Sequence, residues 1–516
     1  MRTLYKKEAF MNKRQSSMIS IWTFLLLAGG IQHVLVSADT ENTALNSEQQ
    51  QSQDSTSSPP FPDMPILGPL HLTPYINECE YDKAKEISQV KLFKDIANAT
   101  AYSGYITVNS TTKSHIFFLF IVAEGNNSNE PFLLWTQGGP GLSALFGQFL
   151  QNGPVAFHLP MNLKRRTNTL HKTMNLLYLD VPIGAGFSYT EATESQDGYS
   201  KSLEDITKDI TEFLGQFFQL FFEYKNRDFY FAGESYGARY SVAVAHYLLG
   251  ASHLPLTVKG VIGGNGFLGP IWETAESSDF LYQASMLTEQ GRETFKSAFI
   301  NTTALLGSQK PKEALLLLFS TIFADITQAQ RTLFQNLTLY NDHASPLYTE
   351  RPLVMLTCYS FLSDPQMKVA LHAGMNNTFE YNNKIMQHNF AADWLRVISD
   401  MTEHVLNNTR VLLYTGQLDA LFPSVNQRTY FAKLKWKYAD QYKTSKRCMW
   451  KSPTPVYGSA GYLKQSGNFS EAIVFGMSHY GAVDKPDEVW YLISEFVQEK
   501  LSCSSVLQSQ GEMKEN

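Results

Sequence analysis

Apolar and polar positions alternate along Ser103–Val108, and Ile116–Val122 is apolar throughout. A polar Asn-Ser-Thr-Thr-Lys turn separates the two segments. Period-two alternation predicts strands, and so short a polar link predicts a hairpin. Pro131–Trp135, Met174–Asp180, Phe229–Ala232, Val258–Gly263, Val411–Tyr414 and Ala472–Phe475 are short apolar runs, each ending near Gly, Pro, Asn or Asp. Such runs predict strands buried on both faces, as in a parallel sheet. Between them, Ser202–Phe222, Tyr236–Leu249 and Glu488–Leu501 carry apolar residues near helical spacing. The first opens on Glu204 and Asp205, which suit a helix N-terminus. Strand-helix alternation predicts an open α/β sheet with helices on both faces. Residues 270 to 355 break the rhythm, with helix-like Arg292–Leu306 and Pro311–Phe323 but no convincing strand. They are expected to form a helical insertion over the sheet's active edge. A separate helical domain is the alternative, and the return of strands afterwards argues against it.

The ends of the chain read differently. Arg2, Lys6, Lys7, Lys13 and Arg14 precede an apolar run from Ile19 through Ala28, and Val36-Ser37-Ala38 offers small residues for cleavage. Residues 1–38 therefore read as a secretory signal peptide. A retained signal anchor is the alternative, opposed by a run shorter than the roughly 20 apolar residues of a membrane span. Residues 39–68 are polar and predict a flexible tail or propeptide. The domain is expected over residues 69–502, with a polar tail over 503–516.

Composition narrows the classes. The 516 residues are 43% hydrophobic and 17% charged, near the globular average. The net charge of −6 argues against a general nucleic-acid binder, which needs basic excess to neutralise phosphates. Asn98, Asn109, Asn126, Asn301, Asn336, Asn376, Asn407 and Asn468 each begin an N-x-Ser/Thr sequon, in keeping with a glycosylated luminal protein. Cys79, Cys358, Cys448 and Cys503 would meet an oxidising compartment, and three pairings are open. No CxxC spacing suggests a zinc site.

The chemistry centres on Gly233-Glu-Ser235-Tyr-Gly237, set between the Phe229–Ala232 run and a helix. Gly-x-Ser-x-Gly alone arises by chance in roughly one chain in five or six of this length. A strand before it and a helix after it fit a turn that exposes a serine nucleophile. A serine needs a base and an orienting acid. Downstream, in the order Ser, Asp, His that such a turn predicts, Val411–Asp419 ends an apolar run with an acid and Ala472–His479 ends one with a histidine. His479 would move the proton and Asp419 would orient the imidazole. His246, on a predicted helix, and His372, in helix-like Gln366–His372, are weaker candidates for the base. The amide of Tyr236 and one from Trp135-Thr-Gln-Gly-Gly-Pro-Gly141 would form an oxyanion hole.

Trp135–Gly141, Asn175–Ser188, Gly233–Gly237, Gly264-Asn-Gly266, Val411–Asp419 and Ala460-Gly-Tyr462 through His479 stand in the order and spacing of serine carboxypeptidases. Over roughly residues 68 to 502 the chain resembles that family, and its pattern is similar to the vitellogenic-like branch. The resemblance implies an α/β-hydrolase fold with a helical cap and release of C-terminal amino acids from peptides or proteins. It implies Ser235, Asp419 and His479 as catalytic residues and the amides of Gly139 and Tyr236 as oxyanion donors. It places the substrate carboxylate among Trp135, Gln137, Gly138, Gln151 and Glu234. Gln137 stands where the family carries Asn, and Gln151 stands where it carries a second glutamate that shares a proton with the counterpart of Glu234. Gln137 is one methylene longer than Asn, and a misplaced amide costs rate. Gln151 donates its amide at any pH. Leu142 replaces a common Cys, which removes the usual bridge toward the region of Cys358. Tyr480 follows His479 where small or Met residues are usual, and would narrow the pocket.

Three readings follow: an exopeptidase, an acyltransferase using the same acyl-enzyme, and a non-catalytic secreted binding protein. No metal or organic cofactor is implied, because Ser/His/Asp chemistry needs none. The expected setting is the secretory pathway, extracellular or lysosomal, with no nucleic-acid partner and no membrane association after leader removal. A homodimer is left open.

Overall fold

The computed structural model describes residues 67–126, 129–192, 198–250, 253–323, 330–453 and 458–503. The predicted signal peptide, the polar segment as far as residue 66 and the tail from residue 504 lie outside the described residues.

Thirteen strands are described: β1 (Ala101–Asn109), β2 (Ser114–Ile121), β3 (Phe132–Thr136), β4 (Val155–His158), β5 (Asn162–Arg165), β6 (Asn175–Leu179), β7 (Tyr189–Thr190), β8 (Arg227–Glu234), β9 (Leu256–Gly264), β10 (Arg410–Gly416), β11 (Cys448–Trp450), β12 (Gly461–Ser466) and β13 (Phe469–Val474). The main sheet runs β1-β2-β6-β3-β8-β9-β10-β13-β12-β11, with β7 against β2 and β4–β5 paired apart. The six strands from β6 to β13 in that order are mutually parallel. Antiparallel strands flank them on both sides. The expected hairpin is β1–β2, and the six expected apolar runs are the six parallel strands. The polar strands β5 and β12 gave no apolar run: β5 is largely exposed, and β12, paired between β13 and β11, mixes buried with half-buried positions.

Pleating explains the continuous apolar runs. Successive side chains point to opposite faces. Phe118, Phe120, Phe132, Leu134, Leu177, Phe229 and Phe231 enter one core cluster. Their neighbours Phe117, Leu119, Leu133, Trp135, Leu176, Tyr178 and Tyr230 enter another. Each such side chain contributes roughly 1.5–3 kcal/mol on burial. The Leu203–Leu220 helix is capped by the Ser202 hydroxyl, which accepts from the Asp205 amide. It buries Ile206, Ile210, Phe213 and Phe217 in the first cluster.

Between β9 and β10 the described chain forms helices only, including Glu289–Gly307, Pro311–Ile322, Leu353–Leu362 and Ser399–Asn408. The helical stretch thus continues past residue 355, where hydrophobic patterning placed its end. Helix Leu353–Leu362 is apolar enough to read as either element, and only its packing decides. Cys448 and Cys503 form a disulfide with Cα atoms 5.7 Å apart, so Cys503 belongs to the fold rather than to the tail. Cys79 is exposed and Cys358 buried, both as free thiols.

The parallel register brings one edge together. Thr136 pairs with Gly233, Glu234 with Gly264, Gly264 with Tyr414, and Gly416 with Val474. The carboxyl ends of β3, β8, β9, β10 and β13 therefore share one rim, where ligands bind in open α/β sheets.

Candidate active site

Ser235 sits between β8 and the Tyr236–Gly250 helix with φ of +53°. That left-handed conformation costs about 1–3 kcal/mol for a non-glycine residue and must be held by its surroundings. The Ser235 amide donates to the Gly264 carbonyl at 2.8 Å, and the Ser235 carbonyl accepts from Phe267 and Ala238 amides at 3.0 and 3.2 Å. Gly233 is needed for the tight turn, since a Cβ there would lie 2.5 Å from the Gly237 carbonyl carbon.

His479 Nε2 lies 3.1 Å from Ser235 Oγ. Its Nδ1 lies 2.9 Å from Asp419 Oδ2. The other Asp419 oxygen accepts from the Leu421 and Phe422 amides at 3.0 and 2.8 Å, which fixes the buried carboxylate. Burial opposes a charged His479, but the charge and hydrogen bond of Asp419 outweigh it, with help from Asp342 and, once ionised, Glu234. The imidazole is held above its ordinary pKa as a result. The structure therefore brings together the three residues that the sequence singled out from separate strands.

The weaker histidines go elsewhere. His246 Nδ1 meets His404 Nδ1 at 3.0 Å. His372 Nδ1 meets Ser103 Oγ at 2.9 Å, and burial lowers its pKa to about 4.

Beside Ser235, the Gly138 backbone packs so closely that a Cβ would come 2.8 Å from Ser235 Cβ. Among the described residues, neither the Gly139 nor the Tyr236 amide donates to another backbone group. The remaining expected residues form one buried cluster around Glu234. Gln151, from the turn Gly147–Asn152, donates to Glu234 Oε2 at 2.5 Å. Gln137 donates to the same oxygen at 3.4 Å and accepts from Trp135 Nε1 at 2.9 Å. The longer Gln137 side chain is thereby seated between Trp135 and Glu234. Two further partners of Glu234 Oε1 escaped the sequence: Tyr414 OH at 3.1 Å and the Ala482 amide at 3.4 Å. Tyr414 lay within an apolar run that looked purely structural, so nothing marked it. Burial pushes the Glu234 carboxyl up to about 7, against the hydrogen bonds of Gln151, Tyr414, Ala482 and Gln137. Tyr480 is buried, its ring 6.2 Å from that of Tyr348.

Asn98, Asn109, Asn301, Asn336, Asn376 and Asn407 are exposed, and Asn468 is half-buried. Among the described residues, no group of three or more His, Cys, Asp or Glu is placed to hold a metal ion. Among them, too, no helix is long and apolar enough to cross a membrane.

The family profile described as "Serine carboxypeptidase" matches residues 92–499. The human "Probable serine carboxypeptidase CPVL" is 33% identical over 435 residues, covering 84% of this chain and 90% of that protein. The "Venom serine carboxypeptidase" of Apis mellifera is 33% identical over 440 residues, covering 84% and 91%. The "Vitellogenic carboxypeptidase" of Aedes aegypti is 28% identical over 437 residues, covering 83% and 89%. Among solved structures, Kex1(delta)p, a prohormone-processing carboxypeptidase from Saccharomyces cerevisiae, superposes with a TM-score of 0.68. That match has 20% identity and covers 81% of this chain and 97% of the other, so it supports the fold. The profile match over most of the chain and the near-complete overlap with the relatives lead to one conclusion: this chain belongs to the serine carboxypeptidase family.

Proposed function

We propose that the chain is a serine exopeptidase that removes C-terminal residues from peptides through an acyl-enzyme on Ser235. The observation that carries this reading is the continuous chain from Ser235 Oγ through His479 to Asp419, built beside a buried carboxyl-amide cluster. Ser235 Oγ attacks the scissile carbonyl carbon while His479 Nε2 takes the hydroxyl proton. The oxyanion forms against the amides of Gly139 and Tyr236. His479 then gives the proton to the leaving amine, and the C-N bond breaks. Water repeats the cycle on the ester and frees Ser235. Asp419 holds the imidazole in the tautomer that faces Ser235.

Gln137, Gln151 and Glu234, with Trp135 and the Gly138 backbone, take the substrate's free carboxylate. An ionised Glu234 would repel that group. Glu234 stays protonated below about pH 7, so binding weakens as pH rises through that value. Chemistry needs neutral His479, so turnover weakens as pH falls through its raised pKa. The two limbs define a bell-shaped profile.

The secretory pathway is the compartment we favour, extracellular or lysosomal. A disulfide and exposed sequon asparagines support it. The test is hydrolysis of a blocked dipeptide from pH 4 to 8, beside the same peptide with an amidated C-terminus. Loss of activity on the amide and in Ser235→Ala sustains the reading. Equal activity on the amide points to a broader hydrolase or acyltransferase.

A further inference from the structure

The Gly264-Asn265-Gly266 segment stood out in the sequence, yet the mechanism above gives it no part. β9 ends at Gly264, and the chain then turns through Asn265, which is fully buried with φ of +45°. Asn tolerates the left-handed region better than most residues, so this position restricts what can replace it.

The hydrogen bonds of this segment reach all three loops of the site. Asn265 Oδ1 accepts from the Gly416 amide at 2.7 Å, at the end of β10 where the chain turns toward Asp419. Asn265 Nδ2 donates to the carbonyls of Ser478 and His479 at 3.0 and 3.2 Å. The side-chain amide thus spends both donor hydrogens on the backbone of the base and its acceptor on the loop of the acid. Its neighbours grip the nucleophile: the Gly264 carbonyl accepts from the Ser235 amide, and the Phe267 amide donates to the Ser235 carbonyl. Strand order explains why a side chain is needed. β9 pairs with β8 and β10 but not with β13, so ladder bonds cannot fix the His479 loop against the Ser235 turn. Asn265 reaches past the end of β10 to do so.

We infer that Asn265 is a positioning residue of the triad, whose side-chain amide sets the Asp419 and His479 loops against the Ser235 turn. It touches no reacting atom. It acts through the backbone that carries them. The inference rests on Ser235, Asp419 and His479 being the triad. Other bonds join the acid and base loops, including those from the Leu418 amide to the Met477 carbonyl and from the Ala420 and His479 amides to the Ala344 carbonyl. None of these reaches the Ser235 backbone, which Gly264 and Phe267 hold on either side of Asn265; the other link from the chain after His479 is the Ala482 amide, which donates to the adjacent Glu234 carboxyl at 3.4 Å.

The test uses Asn265→Asp and Asn265→Gly in the full-length secreted protein. The first keeps the acceptor for Gly416 but sets an oxygen against two carbonyls. The second keeps the left-handed backbone and removes the amide. A misplacement near 1 Å can cost about 100-fold in rate, so kcat should fall by about that factor in each variant, with KM nearly unchanged. Labelling of Ser235 by a fluorophosphonate should slow in parallel, measured on protein still folded at the assay temperature. A lower Tm with unchanged kcat per labelled site would overturn the inference. Should neither variant fold, amide exchange in the wild type decides. Slow exchange at Gly416 sustains the bridge, and exchange at the rate of an exposed loop refutes it. A wild type that labels but does not cleave the dipeptide would sink the exopeptidase reading alone.

Discussion

The two halves of the site are built in different ways. The Ser235–His479–Asp419 half is held through its backbone: amides of Leu421 and Phe422 hold Asp419, Gly264 and Phe267 hold the Ser235 backbone, and the Asn265 side chain binds the His479 carbonyl. The Glu234 half is mostly side chain against side chain, with Gln137, Gln151 and Tyr414 gathered on one buried acid. Backbone bonds fix a position whatever the pH. A cluster around an acid that titrates near 7 changes its own charge in the working range. One half can therefore set the rate of chemistry while the other sets how substrate affinity follows pH.

Variants that break this division should range from large losses to small shifts. Ser235→Ala should cut kcat by about 10⁶-fold, to background, with the fold intact by circular dichroism. Asp419→Asn should cost about 10⁴-fold in kcat, since the wrong imidazole tautomer faces Ser235, and should leave KM nearly unchanged. A comparable rise in KM would refute the separation of the halves.

Glu234→Gln acts on the other half. The wild-type KM should climb by about tenfold per pH unit well above pH 7, as Glu234 loses its proton, and the variant's KM should stay flat. The stability sign is fixed by the same titration. A carboxyl whose folded pKa is raised costs stability progressively from its ordinary range near 4.5 up to about 7. The variant should thus gain Tm over wild type at pH 8 and not at pH 4. An equal Tm difference at both pH values would mean that Glu234 does not titrate as its burial requires.

Gln151→Glu is the finest test. It would place a second carboxyl where an amide now donates to Glu234. Two acids at hydrogen-bond distance share a proton at low pH and repel when both ionise. KM should rise more steeply between pH 5 and 7 in the variant than in the parent, by less than about tenfold overall. A slope no steeper than the parent's would show that Gln151 does not moderate the pH response.

Much of the fold was written locally. Period-two alternation announced β1, and apolar runs announced β2 and the six parallel strands, because strands buried on both faces have no polar side to alternate. Ser235 was legible because its turn needs glycines on both sides. Asp419 and His479 were legible because each follows an apolar run in the required order. The polar strands β5 and β12 were not, since exposed or half-buried positions carry little apolar signal. Cys448 and Cys503 could not be paired from a sequence that left three connectivities open.

The sequence by itself therefore determined the alternation of elements, the nucleophile's turn and the order of acid and base. These depend on neighbours within a few residues, where periodicity and backbone sterics act. Only the tertiary structure decided that Tyr414 would cap Glu234 and that Asn265 would bind the Gly416 and His479 backbones. Those partners lie 180, 151 and 214 residues apart in the chain. No local pattern encodes which strand ends meet. The strand order of the sheet does, and it is set by how both faces are buried at once.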